Sequence, residues 1–182
     1  MTNIDRLEFI RNGGRCGASD PTQVVVNRVE QYRTIFRQSN TLVRDFSQII
    51  NVNIRFIHIV KGDLGRITEA QRKMQIEVLN TSFETTGLFF SYKESGVLEV
   101  DKGNWFDAGP HTLQEIEMKN RVVESSSDQL NFITSSAAGL LGWATFPWDL
   151  PLRPQMDGIV VAHDTLPKGG FEPYNLGKTG VH

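Results

Sequence analysis

The chain has 182 residues, 39% hydrophobic and 22% charged, which is ordinary material for one globular domain with a real core. Its 19 basic and 21 acidic residues leave a net charge of −2, too weak a field to attract nucleic acid or an anionic membrane. No apolar run approaches the roughly 18–20 residues of a membrane helix, and Met1–Gly14 lacks the apolar stretch of a secretory leader.

Residues 1–23 are rich in turn formers, with Gly13–Thr22 (GGRCGASDPT) as the clearest breaker cluster, and read as an irregular extension. The only cysteine, Cys16, lies there, which excludes an internal disulfide and a cysteine-only zinc site. From Val24 to about Phe46, Val25, Val29, Tyr32, Phe36, Leu42, Val43 and Phe46 fit one or two amphipathic helices, with Gln38–Thr41 as a break. Asn51–Lys61 sets Val52, Ile54, Phe56 and His58 on one face against Asn53, Arg55, Ile57 and Ile59 on the other. Its β-branched and aromatic content predicts the first strand, buried on both faces toward its end, with His58 a structural residue rather than a ligand.

Thr68 followed by Gln71 is a capping-box signature, and Ala70, Met74, Val78 or Leu79, and Phe83 then recur at helical spacing to about Glu84. Leu88–Tyr92 reads as the second strand, so strand, helix and strand predict a parallel pair with a right-handed crossover. Gly96–Phe106 reads as a strand or hairpin followed by a polar turn, and Leu113–Val123 as a helix that Ser125–Asp128 ends. Leu130–Thr134 is a compact apolar third strand. Gly139–Pro154 (GLLGWATFPWDLPLRP) crowds Trp143, Phe146 and Trp148 among three prolines, which confines it to a sheet edge or a loop. Asp157–Ala162 is the last strand.

The C-terminal run Asp157–Gly170 (DGIVVAHDTLPKGG), continued by Pro173–His182 (PYNLGKTGVH), resembles the approach to the active-site helix of the pappalysin-type (cytophagalysin) zinc metallopeptidases, a branch of the metzincins. In that family a segment similar to YNLGKT leads into a helix with the signature H-E-x-x-H-x-x-G-x-x-H, and His182 falls at its first histidine. The spacing has a reason: at about 3.6 residues per turn, two histidines four apart share a helix face, with the glutamate poised beside a metal-bound water. RCG, the histidine-bearing first strand, the asparagine-bearing third strand, LLGWATFPW and DGIVV come in the family's order, so the resemblance covers Arg15–His182. Lys168, inserted in the family's Pro-Gly-Gly turn, departs from it.

The resemblance implies an α/β fold: a twisted mixed sheet of about five strands, mainly parallel with an antiparallel edge strand, backed by one long helix and a shorter one. Residues 1–50 would be an N-terminal extension and helical lead-in, and residues 51–182 the N-terminal part of a catalytic domain. It further implies a Zn2+-dependent endopeptidase acting on protein or peptide substrates, with no nucleic-acid or membrane partner, extracellular although no leader is visible here. Ca2+ is a second implied cation, for which Asp157, Asp164 and Glu172 offer oxygens. Cys16 would pair with a cysteine beyond His182, a small buried thiol being the alternative.

His182 is the expected metal ligand. The general-base glutamate, the other two histidines and the Met-turn lie outside this sequence, so the chain is expected to be truncated, inactive alone and poorly soluble, with the sheet face meant for the zinc helix exposed. His58, His111 and His163 show no ligand spacing with His182, and His163 reads as a surface-loop histidine. Gly142, Trp143, Ala144 and Thr145 are the expected substrate-binding residues, because an edge strand can pair its open N–H and C=O groups with an extended peptide. Trp143 and Trp148 read equally well as aromatic filling under a long loop. A second reading is a catalytically dead peptide-binding module using that same edge. Neither G-x-S-x-G nor a phosphate-binding glycine loop occurs, so other hydrolase and nucleotide chemistries have no support.

Overall fold

A computed structural model describes residues 5–14, 16–17, 20–39, 49–126, 128–146 and 148–182. Its helices are α1 (Arg6–Arg11), α2 (Gln23–Ser39), α3 (Glu69–Ser82), α4 (Gly103–Phe106) and α5 (Leu113–Val122). Its strands are β1 (Ile50–Val60), β2 (Leu88–Tyr92), β3 (Leu98–Asp101), β4 (Gln129–Ser135), β5 (Gly142–Ala144) and β6 (Ile159–Ala162). The second half of the expected helical lead-in, residues 40–46, lies outside the described residues.

The strands form one sheet in the order β2-β1-β4-β6-β5, with β3 pairing β1 beyond the end of β2. Every pair is parallel except β5 with β6, so the mixed α/β sheet with an antiparallel edge strand is as the sequence implies. The sixth strand, β3, and the one-turn helix α4 occupy Gly96–Phe106, where a strand or hairpin and a turn were expected. β1 is long enough to hold both β2, through Ile50–Ile54, and β3, through Ile57–Val60, on the same side.

The alternation of β1 produces two cores. Ile54 and Phe56, with Phe90, Phe132 and Val161, bury against Leu79 of α3. Ile57 and Ile59, with Ile133, Trp143, Val160 and Ala162, bury against Trp105 and Phe106 of α4 and Met118 and Val122 of α5. Each fully buried large apolar side chain stabilises the fold by about 1.5–3 kcal/mol, so the central strand must be apolar on both faces. The N-terminus of α3 carries the expected capping box: Thr68 Oγ1 accepts from Gln71 N at 3.3 Å and Gln71 Oε1 from Thr68 N at 3.1 Å.

His58 is buried on the α3 face, a structural strand histidine as its position suggests. Arg72 can only donate, so its 3.4 Å contact makes Nε2 the acceptor and leaves Nδ1–H to donate to Thr134 Oγ1 at 2.8 Å. Burial first, and the Arg72 charge second, hold its pKa down to about 3. Arg72 is in turn satisfied by Ile67 O and by an ion pair with Glu94.

Residues 6–11, expected to be irregular, form α1. Asp5 Oδ1 caps it, accepting from Leu7 N at 2.9 Å and Glu8 N at 3.3 Å. Six residues make no stable helix alone, and this one is held by tertiary partners that lie far along the chain. Arg6 grips both Asp164 oxygens at 2.7 and 2.8 Å, donates to Ser136 O at 2.8 Å and lies 4.9 Å over the Phe171 ring. Phe9 packs against the α5-side core.

Between β4 and β5 the chain reverses through three left-handed residues, Ala137 (φ 51°), Ala138 (φ 48°) and Gly139 (φ 84°). An L-residue there costs roughly 1–2 kcal/mol. Serine side chains hold the turn: Ser135 Oγ accepts from Ala137 N, and Ser136 Oγ accepts from Ala138 N while donating to Phe106 O. Ala138→Gly, at a half-buried position, is expected to raise stability by roughly 1 kcal/mol in urea unfolding.

His58 sets a pH dependence with a defined sign. Its folded pKa lies below the ordinary value, so the unfolded chain takes up the proton first and stability falls as pH drops below 6.5, by about 1.4 kcal/mol per unit until about 3. His58→Gln should flatten this slope; an unchanged slope between pH 6.5 and 4 would show that the histidine is not held neutral.

Candidate functional site

Among the described residues β5 pairs with a strand on one side only, with Gly142, Trp143 and Ala144 opposite Val161, Val160 and Ile159. Leu141 O and Thr145 N bond to Ala162 N and Gly158 O, so the odd-numbered backbone groups face β6 and those of Gly142 and Ala144 face outward. Only glycine fits at 142, because a Cβ there would lie 2.5 Å from Val160 O. The side chain of Trp143 points into the α5 layer, 5% exposed, and its Nε1–H donates to Glu115 Oε1 at 2.6 Å. Trp143 is therefore core filling by its ring and rim by its backbone.

On the other face the C-terminal segment lies along the sheet. Gly177, at φ +72°, passes so close to α3 that a Cβ would meet Gln75 Oε1 at 2.7 Å, and its carbonyl accepts from Gln75 Nε2 at 3.0 Å. Lys178 Nζ reaches Ser82 Oγ at 3.0 Å. The chain then turns through a short 3-10 helix, Lys178–Gly180, after which Val181 N and His182 N both bond to Lys178 O at 3.1 Å. The second of these bonds spans four residues, the spacing of an α-helix.

A cleft of about 300 Å³ separates this segment from β5 and β6, and Gly142, Trp143, Ala144, Ile159, Tyr174 and His182 line it. Four of the five expected site residues thus border one space. Thr145 does not: its N–H binds Gly158 O, and Oγ1 donates to Met156 O and accepts from Lys119 Nζ at 3.2 Å. The outer edge is also less open than an edge strand suggests, since Gly17 N donates to Gly142 O at 2.8 Å. Cys16, half-buried, reaches the cleft beside it.

Behind the rim lies a pair that sequence reasoning missed. Glu115 and Lys119, one turn apart on α5, meet at 3.1 Å with side chains only 4% and 0% exposed. Glu115 also accepts from Trp143 Nε1 and, at 2.7 Å, from His111 N, while Lys119 donates to Thr145 Oγ1 and, at 3.0 Å, to Met156 O. Burial pulls the ammonium of Lys119 below the usual lysine range, and the Glu115 carboxylate opposes it. The available signal was spacing: Glu115 and Lys119 share one helix face with two core residues, Met118 and Val122.

His182 is exposed at the mouth of the cleft, and among the described residues no three His, Cys, Asp or Glu side chains gather as metal ligands. One imidazole of the donor chemistry that zinc takes, His182, stands at the cleft. His163, expected in a surface loop, is half-buried in the short 3-10 turn after β6. Its ring is tilted against that of Phe106 with centroids 5.6 Å apart, and burial lowers its pKa. Asp164, one of the oxygens considered for calcium, is engaged by Arg6.

No protein-family model matches the chain. An extracellular metalloprotease of Arthroderma gypseum is 32% identical over 150 residues, 79% of this chain and 49% of that protein. Another from Pyricularia oryzae is 26% identical over 178 residues, 92% of this chain and 60% of the relative. Among solved structures, mature mirolysin of Tannerella forsythia in complex with a cleaved peptide superposes with a TM-score of 0.60 at 19% identity, over 75% of this chain and 62% of that one. A promirolysin of the same organism gives 0.64 at 17%, over all of this chain and 65% of that one. The structural likeness establishes the fold, and the sequence likeness supports a metallopeptidase relationship; the chain spans about half the length of the first relative. Among the described residues no helix is long and apolar enough to cross a membrane.

Lys119→Met would strand the Glu115 carboxylate in the interior without its cation, and should destabilise the chain by about 3–5 kcal/mol in chemical unfolding.

Proposed function

We propose that this chain is the front part of the catalytic domain of a zinc-dependent metalloendopeptidase of pappalysin type. In this reading residues 51–182 form its sheet subdomain and residues 1–50 lead into it. The observation that carries the reading is the single cleft that joins the outward backbone of β5 to His182, at the first helical hydrogen bond of the C-terminal segment. The names of the relatives support an extracellular metalloprotease, and the mirolysin complex with a cleaved peptide supports a peptide substrate.

The roles of this chain's own residues follow from their geometry. The N–H and C=O of Ala144, and those of Gly142 once Gly17 has withdrawn, would pair with an extended peptide, each bond worth a net 0.5–1.5 kcal/mol or so. Trp143 turns its ring away from the cleft, so the rim reads backbone rather than side chains. His182 would provide one metal ligand; the remaining ligands and the general base would come from sequence following it. Zinc, when bound, would supply Lewis acidity toward a peptide carbonyl.

The other reading, a peptide-binding module without catalysis, rests on the same outward backbone of β5. A comparison of the full-length gene product with the 182-residue chain on a denatured protein substrate separates the two. The full-length protein should cleave it, lose activity to a chelator and regain it with Zn2+, and His182→Ala should lower kcat/KM by more than ~100-fold. The 182-residue chain should bind peptide and cleave nothing. Chelator-insensitive cleavage would sink the metallopeptidase reading, and peptide binding without cleavage by the full-length protein would leave the binding module.

A further inference from the structure

We infer that Glu115 and Lys119 are positioning residues, a buried ion pair on α5 that fixes how β5 presents its backbone to an extended peptide. The inference rests on the reading of β5 as the peptide-binding rim. Three anchors bear on the strand and the loop after it: Trp143 Nε1–H on Glu115, Thr145 Oγ1 on Lys119, and Met156 O on Lys119. The first two bracket Ala144, whose N–H and C=O face outward. Glu115 cannot rotate freely, because its second oxygen holds His111 N at 2.7 Å.

Stability alone gives little reason for such a pair. Removing two charges from water costs several kcal/mol each, and well-packed apolar residues of similar volume are often as stable. Direction is what the pair adds: charge-assisted hydrogen bonds hold a three-residue strand and its exit loop in one orientation, where apolar packing would let them slide. A rim that reads backbone needs its donors and acceptors in register with the peptide, and misplacement by a fraction of an ångström weakens every bond together.

The test uses the zinc-loaded full-length protein with the double substitution Glu115→Gln and Lys119→Met. The glutamine carbonyl keeps the bond from Trp143 Nε1 and gives up the one from His111 N, no charge is left unpaired, and the anchors on Thr145 and Met156 are lost. Thermal stability should stay close to that of the unmodified protein, because removal of the buried charges offsets the lost His111 bond, while KM for an extended peptide rises roughly tenfold and kcat stays within about twofold. Thr145→Val, which leaves the pair intact and removes one anchor off the cleft, should raise KM by a smaller factor and covers the case in which the double variant does not fold. Unchanged KM in a folded variant, or a fall in kcat at constant KM, would overturn the positioning role alone. Absence of peptide hydrolysis by the unmodified protein would overturn the rim reading and this inference with it.

Discussion

Layers packed against both faces of the sheet leave its centre without water, and most of the polar chemistry of the molecule follows from that constraint. A buried polar group must find its partner inside the protein or carry a cost of several kcal/mol. His58 finds Thr134 and Arg72. Asn131, fully buried in β4, donates to Glu124 O at 2.8 Å and accepts from Glu124 N at 3.3 Å, which ends α5 against the strand. Gln75 takes Gly177 O and so fastens the C-terminal segment to α3. In the last two cases satisfying one group also decides which loop docks on which face.

The sheet's antiparallel edge obeys a different rule. Among the described residues β5 has a strand neighbour on one side only, is three residues long, and is reached through a turn of left-handed residues. Its position is set by steric closeness at Gly142 and by the polar contacts of α5, with little help from its own pairing. A rim of this kind presents main chain and small side chains to the cleft, and keeps its one large residue, Trp143, for the core.

Much of the architecture was legible because its signals are local. The period-two pattern of β1 announced two buried faces, Thr68 and Gln71 announced the start of α3, and the prolines after Trp143 announced an edge. The resemblance then joined His182 to β5, and the structure borders one cleft with both. What was not legible depends on distant partners. α1 exists because Asp164 and Ser136 receive Arg6, β3 because β1 has length to spare beyond β2, and the burial of Lys119 because the loop after β5 folds back over it. A glutamate and a lysine one turn apart look the same on a solvated face as in a core, and Thr145 looks like rim until its partners are known.

Arg6 holds Ser136 O, at the entrance to the reversal before β5, and Asp164, at the exit of β6. These two loops belong to antiparallel neighbours and sit at the same end of the sheet. One guanidinium shared between them makes their fluctuations dependent: neither loop can lift away without giving up the cation that steadies the other. The amino-terminal helix thus acts as a mechanical tie that converts two local openings into one rarer, concerted event.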